Sequence, residues 1–149
     1  CDSYHMTAPD EQASGAIRSM QAALKDSGLA PDDIDYINAH GTATPVNDVT
    51  ETKAIREVFG KRAMSIPVSS TKSMHAHTLG AAGALEGIVS LLALNHGFIP
   101  PTINYQESDP LCDLDYVTSG CRNANLRTVL SNSFAFGGNN TTLIFGRYS

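Results

Sequence analysis

Ionisable residues gather in three stretches of this sequence: around His40, at Lys72, His75 and His77, and beside the glycine-rich turn at residues 136–140. Each falls where a strand is expected to end, and loops at strand ends are where open α/β sheets carry their sites. The convergence points to an enzyme or a ligand site. Several chemistries fail on spacing. Serine hydrolysis wants a G-x-S-x-G elbow, which is absent. Phosphate binding wants G-x-x-x-x-G-K-[ST] or G-x-G-x-x-G, of which Gly80-Ala81-Ala82-Gly83 is only a faint echo. A metal site would combine His75 and His77 with His40 and a carboxylate such as Asp48 or Glu51, but neither H-E-x-x-H nor C-x-x-C accompanies them. Taken singly, His40 reads as a capped loop histidine, Lys72 as a surface lysine and Phe136 as a core aromatic.

Periodicity gives the helices and strands expected to carry these groups. From Asp10 a helix is expected: Pro9, Asp10 and Glu11 suit its start, Ala13, Ile17, Met20 and Leu24 share a face, and Gly28 stops it. Residues 34–39 read as a short strand running into His40-Gly41-Thr42. A second helix is expected over 48–59, then a strand over 65–69 that leads into a polar loop at 70–77. Residues 79–95 read as a helix of small and apolar residues, packed on all sides and therefore central and buried. A membrane span competes with that reading and loses, because Glu86 falls mid-helix and the run is shorter than about 20 residues. Strands follow over 100–104, 115–118, 127–132 and 141–147. Helices alternating with strands, then a run of strands, predict an α/β domain with a mixed sheet.

Composition narrows the function further. The 149 residues are 42% hydrophobic and 17% charged, with a mean hydropathy of -0.13, so one domain over 1–149 can bury a continuous core. The net charge is -5 and no basic run exceeds Lys61-Arg62. Nucleic acid and membrane therefore have no electrostatic support as partners. Three cysteines, Cys1, Cys112 and Cys121, do not make a disulfide framework and favour a reducing compartment. The chain opens on Cys1 without a Met or a leader-like segment, which suggests a piece of something longer.

Three long motifs then carry a resemblance. Asn38-Ala39-His40-Gly41-Thr42-Ala43-Thr44-Pro45-Val46-Asn47-Asp48 resembles the N-A-H-G-T-x-T-x-x-N-D motif of β-ketoacyl-acyl carrier protein synthases. Ser70-Thr71-Lys72-Ser73-Met74, with His77 and Gly80-Ala81-Ala82-Gly83, is similar to their T-K-S-x-x-G-H-x-x-G-A-A-G motif. Ser131-Asn132-Ser133-Phe134-Ala135-Phe136-Gly137-Gly138 resembles their closing N-S-F-G-F-G-G loop. Tyr4-His5-Met6-Thr7-Ala8-Pro9 and Pro100-Pro101-Thr102-Ile103-Asn104-Tyr105 are similar as well, so the likeness runs along essentially the whole chain. The type II elongating branch, synthase II, is the nearest in pattern.

The resemblance implies the C-terminal half of a thiolase-like αβαβα layered fold, with a mixed five-stranded sheet. It implies decarboxylative Claisen condensation of malonyl-carrier protein with acyl-carrier protein, in fatty acid elongation or alternatively in a polyketide assembly line. His40 and His77 match the catalytic histidines and Lys72 the family's lysine; Asp48 and Glu51 match acidic residues expected to pair with Lys72. The Phe136 N–H matches an oxyanion-hole donor and its side chain an acyl gate, with Phe134 beside it and Gly137 and Gly138 freeing the loop to flip. No metal or cofactor is implied beyond the phosphopantetheine arm of acyl carrier protein. The implied partners are that carrier protein, an N-terminal half holding the nucleophilic Cys, and a second copy in a homodimer. The implied location is the cytoplasm, or an organelle stroma or matrix. None of the three cysteines stands on the nucleophile motif, so the chain alone is expected to be a non-catalytic domain. Four positions depart from the pattern: His75-Ala76 for a more usual Thr-Gly, Ala135 for Gly, and Asn139 for Thr or His. The Ala76 Cβ falls where a glycine torsion is wanted.

Overall fold

The computed structural model describes residues 10–148. Cys1, His5 and the segment at residues 4–9 lie outside them. In chain order the elements are α1 (Ser14–Ser27), β1 (Tyr36–Asn38), α2 (Asn47–Phe59), β2 (Pro67–Ser69), α3 (Lys72–His75), α4 (Ala82–His96), β3 (Phe98–Ile99), β4 (Asp115–Tyr116), β5 (Arg122–Asn123), β6 (Thr128–Ala135) and β7 (Asn139–Gly146). Five strands form a mixed sheet in the order β4-β2-β1-β6-β7. All neighbours are parallel except β6 and β7, which are antiparallel. A separate antiparallel pair joins β3 to β5.

Alternation along β1 and β6 divides the interior. Ile37 and Leu130 face α1 and α2, where Ala16, Met20, Leu24, Ala54, Ile55 and Phe59 complete one cluster. Tyr36 and Val129 face the other way, against Ala93 and Leu94 of α4 with Ile99, Val117 and Leu126. Helices thus cover both faces of a sheet whose central strand, β1, is wholly buried, as parallel strands require.

Several boundaries differ from the sequence-based expectation. α1 starts at Ser14 rather than Asp10, because Ala13 sits in the left-handed region at φ 57°. Asp10 caps from outside the helix, its carboxylate accepting from the Gln12 N–H at 3.0 Å and from the Ser14 N–H at 3.1 Å. These hydrogen bonds, Ser14 hydroxyl first, hold that carboxyl below the usual carboxylate range. The strand expected over 100–104 is absent. Pro100 and Pro101 offer no N–H to a ladder, and the pairing falls instead on Phe98 and Ile99. The loop expected at 70–77 contains the single turn α3.

The largest correction concerns α4. It is not packed on all sides. Its buried residues are the small and polar Ala82, Glu86, Gly87, Ser90 and Ala93, with Leu94 the one large apolar side chain among them. Leu85, Ile88, Leu91 and Leu92 are exposed. The small face is dictated by close approach to the sheet: a Cβ at Gly83 would meet Ser133 Oγ at 3.2 Å, and one at Gly87 would meet Phe145 at 3.4 Å. The stretch Leu79–His96 is long and apolar enough to cross a membrane by composition, but Glu86 on its buried face is ion-paired within the domain.

Candidate active site

β1 delivers His40 into the interior, and Glu51 of α2 fixes the backbone there. Its two carboxylate oxygens each accept one N–H, from His40 and from Gly41, both at 2.9 Å, while the Asn132 side chain donates to Oε1 at 3.1 Å. Burial pushes the Glu51 carboxyl up, and these donors pull against it. Gly41 has to be glycine on two counts. Its φ is +40°, and a Cβ would lie 2.4 Å from Ser70 Cβ, where Ser70 Oγ donates to Gly41 O at 2.7 Å.

His40 is 6% exposed and its Nδ1 is buried without a hydrogen-bond partner among the described residues. Burial, then the Lys72 cation, then His77 lower its pKa from 6.5 to about 3. That bias favours the neutral imidazole near neutral pH. His77 stands edge-on to it with ring centroids 5.4 Å apart, and Phe134 packs on it at 5.6 Å. The Leu79 N–H donates to His77 Nδ1 at 3.2 Å, so Nδ1 is the accepting nitrogen of that ring. Leu79 takes φ 50° and is exposed.

Lys72 is buried and paired, but with neither expected carboxylate. Its ammonium meets Glu86 of α4, whose second oxygen accepts from Ser133 Oγ at 3.4 Å. Asp48 and Glu51 are not its partners. Glu51 is committed to the His40 loop, and Asp48 accepts from the Ala43 N–H at 3.2 Å and the Asn47 amide at 3.0 Å. Glu86 is thus the site residue that the motifs do not disclose. Its signal was a lone acid on the small-residue face of an apolar helix, where only a buried cation explains it.

The closing loop turns through Gly137 and Gly138, both left-handed at φ 73° and 70°. Asn139 Nδ2 donates to Phe136 O at 3.0 Å, and Asn140 Nδ2 to Gly138 O at 3.1 Å. Phe136 is 71% exposed at the tip, whereas Phe134 turns inward to His40. A cleft of about 640 Å³ opens beside the histidines, lined by Gly41, Thr42, Thr44, Lys72, His77 and Tyr116 among others. His40 does not line it. Cys112 does, with its thiol pushed up by burial, while Cys121 is exposed. Among the described residues no three His, Cys, Asp or Glu side chains are grouped to hold a metal ion. His75 is taken up otherwise, with Nδ1 at 2.8 Å from Ala76 O and Nε2 at 3.2 Å from Thr71 Oγ1.

The site thus joins two imidazoles to a buried lysine across two of the three motifs. A family model described as β-ketoacyl synthase, C-terminal domain, matches residues 1–106. The chain belongs to the β-ketoacyl synthase family. The 3-oxoacyl-[acyl-carrier-protein] synthase 2 of Synechocystis sp. is 53% identical over 148 residues, covering 99% of this chain and 36% of that protein. A solved ishigamide ketosynthase/chain length factor superposes with a TM-score of 0.95 at 47% identity, over 100% of this chain and 36% of that one. A type II PKS acyl-carrier protein in complex with its ketosynthase, bound to the hexaketide, gives a TM-score of 0.95 at 37% identity over 99% of this chain and 36% of that one. The mixed α/β sheet is therefore that of a thiolase-like ketosynthase C-terminal domain. The chain spans about a third of the length of the curated relatives it matches.

Proposed function

We propose that this chain is the histidine-bearing portion of a 3-oxoacyl-[acyl-carrier-protein] synthase that elongates fatty acyl chains. The observation that carries the reading is the edge-on pair His40 and His77 beside the buried Lys72–Glu86 ion pair. In the reaction, an acyl group passes from carrier protein to a cysteine thiolate on the remaining part of the protein, releasing the carrier thiol. Malonyl-carrier protein then binds with its arm along the cleft beside His77. Its C–C bond to the carboxylate breaks, CO2 leaves, and the electron pair moves into the thioester as an enolate. Imidazole N–H donors from His40 and His77 bind the developing oxyanion without having to reorganise. Each such donor contributes about 3 kcal/mol. The carbanion attacks the acyl thioester, whose carbonyl oxygen takes the Phe136 N–H as one of two donors. Collapse returns the cysteine thiolate and frees the 3-oxoacyl product.

Neutrality suits His40 to this work. A donor that gains no proton of its own holds the enolate without transferring charge, and burial, with the Lys72 cation second, keeps His40 neutral. The partners follow from the same reading: acyl carrier protein, the N-terminal half with its nucleophile, and a second copy of the whole protein. The exposed apolar face of α4 is where the N-terminal half packs. No metal or other cofactor takes part, and a reducing compartment such as the cytoplasm or an organelle stroma keeps the thiol free. The 149 residues by themselves would then bind without condensing.

A polyketide ketosynthase is the second reading, and the likeness to the ishigamide and hexaketide-bound ketosynthases favours it. Condensation assays on the full-length protein separate the two. Saturated acyl-carrier substrates turned over in preference to polyketide-type starters support the first reading, and the reverse preference overturns it.

A further inference from the structure

His77 follows directly after the turn that ends α3, so the geometry of that turn decides where its imidazole stands. Ala76 closes the turn, with its N–H on Lys72 O at 2.9 Å and its backbone at φ 64°, ψ 175°. This region is open to glycine and strained for a residue with a Cβ. Ala76 is exposed, so packing does not hold it there. His75 supplies the restraint through its two ring contacts, to Ala76 O and to Thr71 Oγ1. One tautomer serves both, with Nδ1–H donating to the carbonyl and Nε2 accepting from the hydroxyl. Thr71 is completely buried, so the ring ties an exposed carbonyl to the core.

We propose that His75 is a positioning residue: it braces the strained Ala76 peptide and so fixes the direction in which the chain presents His77. This rests on His77 acting on the substrate thioester. The brace is needed only while position 76 carries a Cβ, which couples the two residues. A glycine there would hold the same torsions unaided.

The test is a double-mutant cycle in the full-length protein, with His75→Ala, Ala76→Gly and the two combined. Malonyl-carrier protein decarboxylation is read as kcat and KM, alongside thermal unfolding. His75→Ala is expected to lower kcat about tenfold with KM little changed, since a small misplacement of a catalytic group acts on the chemical step. Ala76→Gly is expected to stay near the parent and to restore most of the loss when combined with His75→Ala. An equal loss in both backgrounds, or no loss from His75→Ala, overturns the proposal. Thermal unfolding separates the two claims. His75→Ala lowering Tm more in the parent than in the Ala76→Gly background supports the brace even if a His77→Ala variant keeps its activity. An inactive His77→Ala with no coupling overturns the brace and leaves the functional reading standing.

Discussion

Burial and the Lys72 cation act on His40 in the same direction, and the consequence is measurable. Between its ordinary pKa of 6.5 and about 3, the unfolded chain holds a proton that the folded chain refuses. Stability from this group is complete above the ordinary value and falls as pH drops toward 3, with a slope of up to ~1.4 kcal/mol per pH unit. Denaturant unfolding of the full-length protein against pH should show that slope, shallower in His40→Ala. An unchanged slope in the variant would contradict a neutral buried His40. The ion pair gives a second prediction at this scale. Glu86→Ala strands a buried ammonium and should cost about 3–5 kcal/mol, whereas Asp48→Ala removes hydrogen bonds at the surface and should cost about 1 kcal/mol. Equal costs would contradict the assignment of Glu86 as the partner of Lys72. His40, Lys72 and His77 were legible because each lies in a contiguous motif. Glu86 was not, since a helix crossing the sheet brings it to Lys72 from 14 residues away.

Helix α4 is where local pattern misled most. Its mean composition is that of a core helix, but its inner face is mostly small and polar residues with Leu94, and Leu85, Ile88, Leu91 and Leu92 face out. Periodicity identifies a helix of this kind without saying which side is buried, because the inner face was chosen for close approach to β6 rather than for hydrophobicity. The outward face should be covered in the full-length protein. Replacing Ile88 or Leu91 by Lys should therefore destabilise it by roughly 1.5–3 kcal/mol each, the value of burying such a side chain. Unchanged unfolding midpoints would mean that the face meets solvent. Elsewhere the main helices and sheet strands were found near where expected with shifted ends, whereas the strand over 100–104 is absent and α3, β3 and β5 were not expected. A left-handed Ala13 and the paired Pro100 and Pro101 moved the boundaries, and neither effect is visible in apolar spacing alone.

At the scale of the whole molecule, the described residues pack around two hydrophobic clusters and still leave the apolar side chains of α4 and the Phe136 loop exposed. Both features fit a chain that makes up about a third of its curated relatives. The composition predicted a chain able to bury a core, and two hydrophobic clusters are buried among the described residues; it said nothing about how much chemistry they support. On the proposed reading the two imidazoles, with the His40 backbone held by Glu51 and His77 contacted by the Leu79 N–H, bind the enolate formed as CO2 leaves. The most direct measurement is CO2 release from malonyl-carrier protein by full-length protein carrying His40→Ala or His77→Ala. Each substitution is predicted to slow release by about 10²–10³-fold, with binding of the malonyl substrate retained. Release near the parental rate in either variant would contradict it.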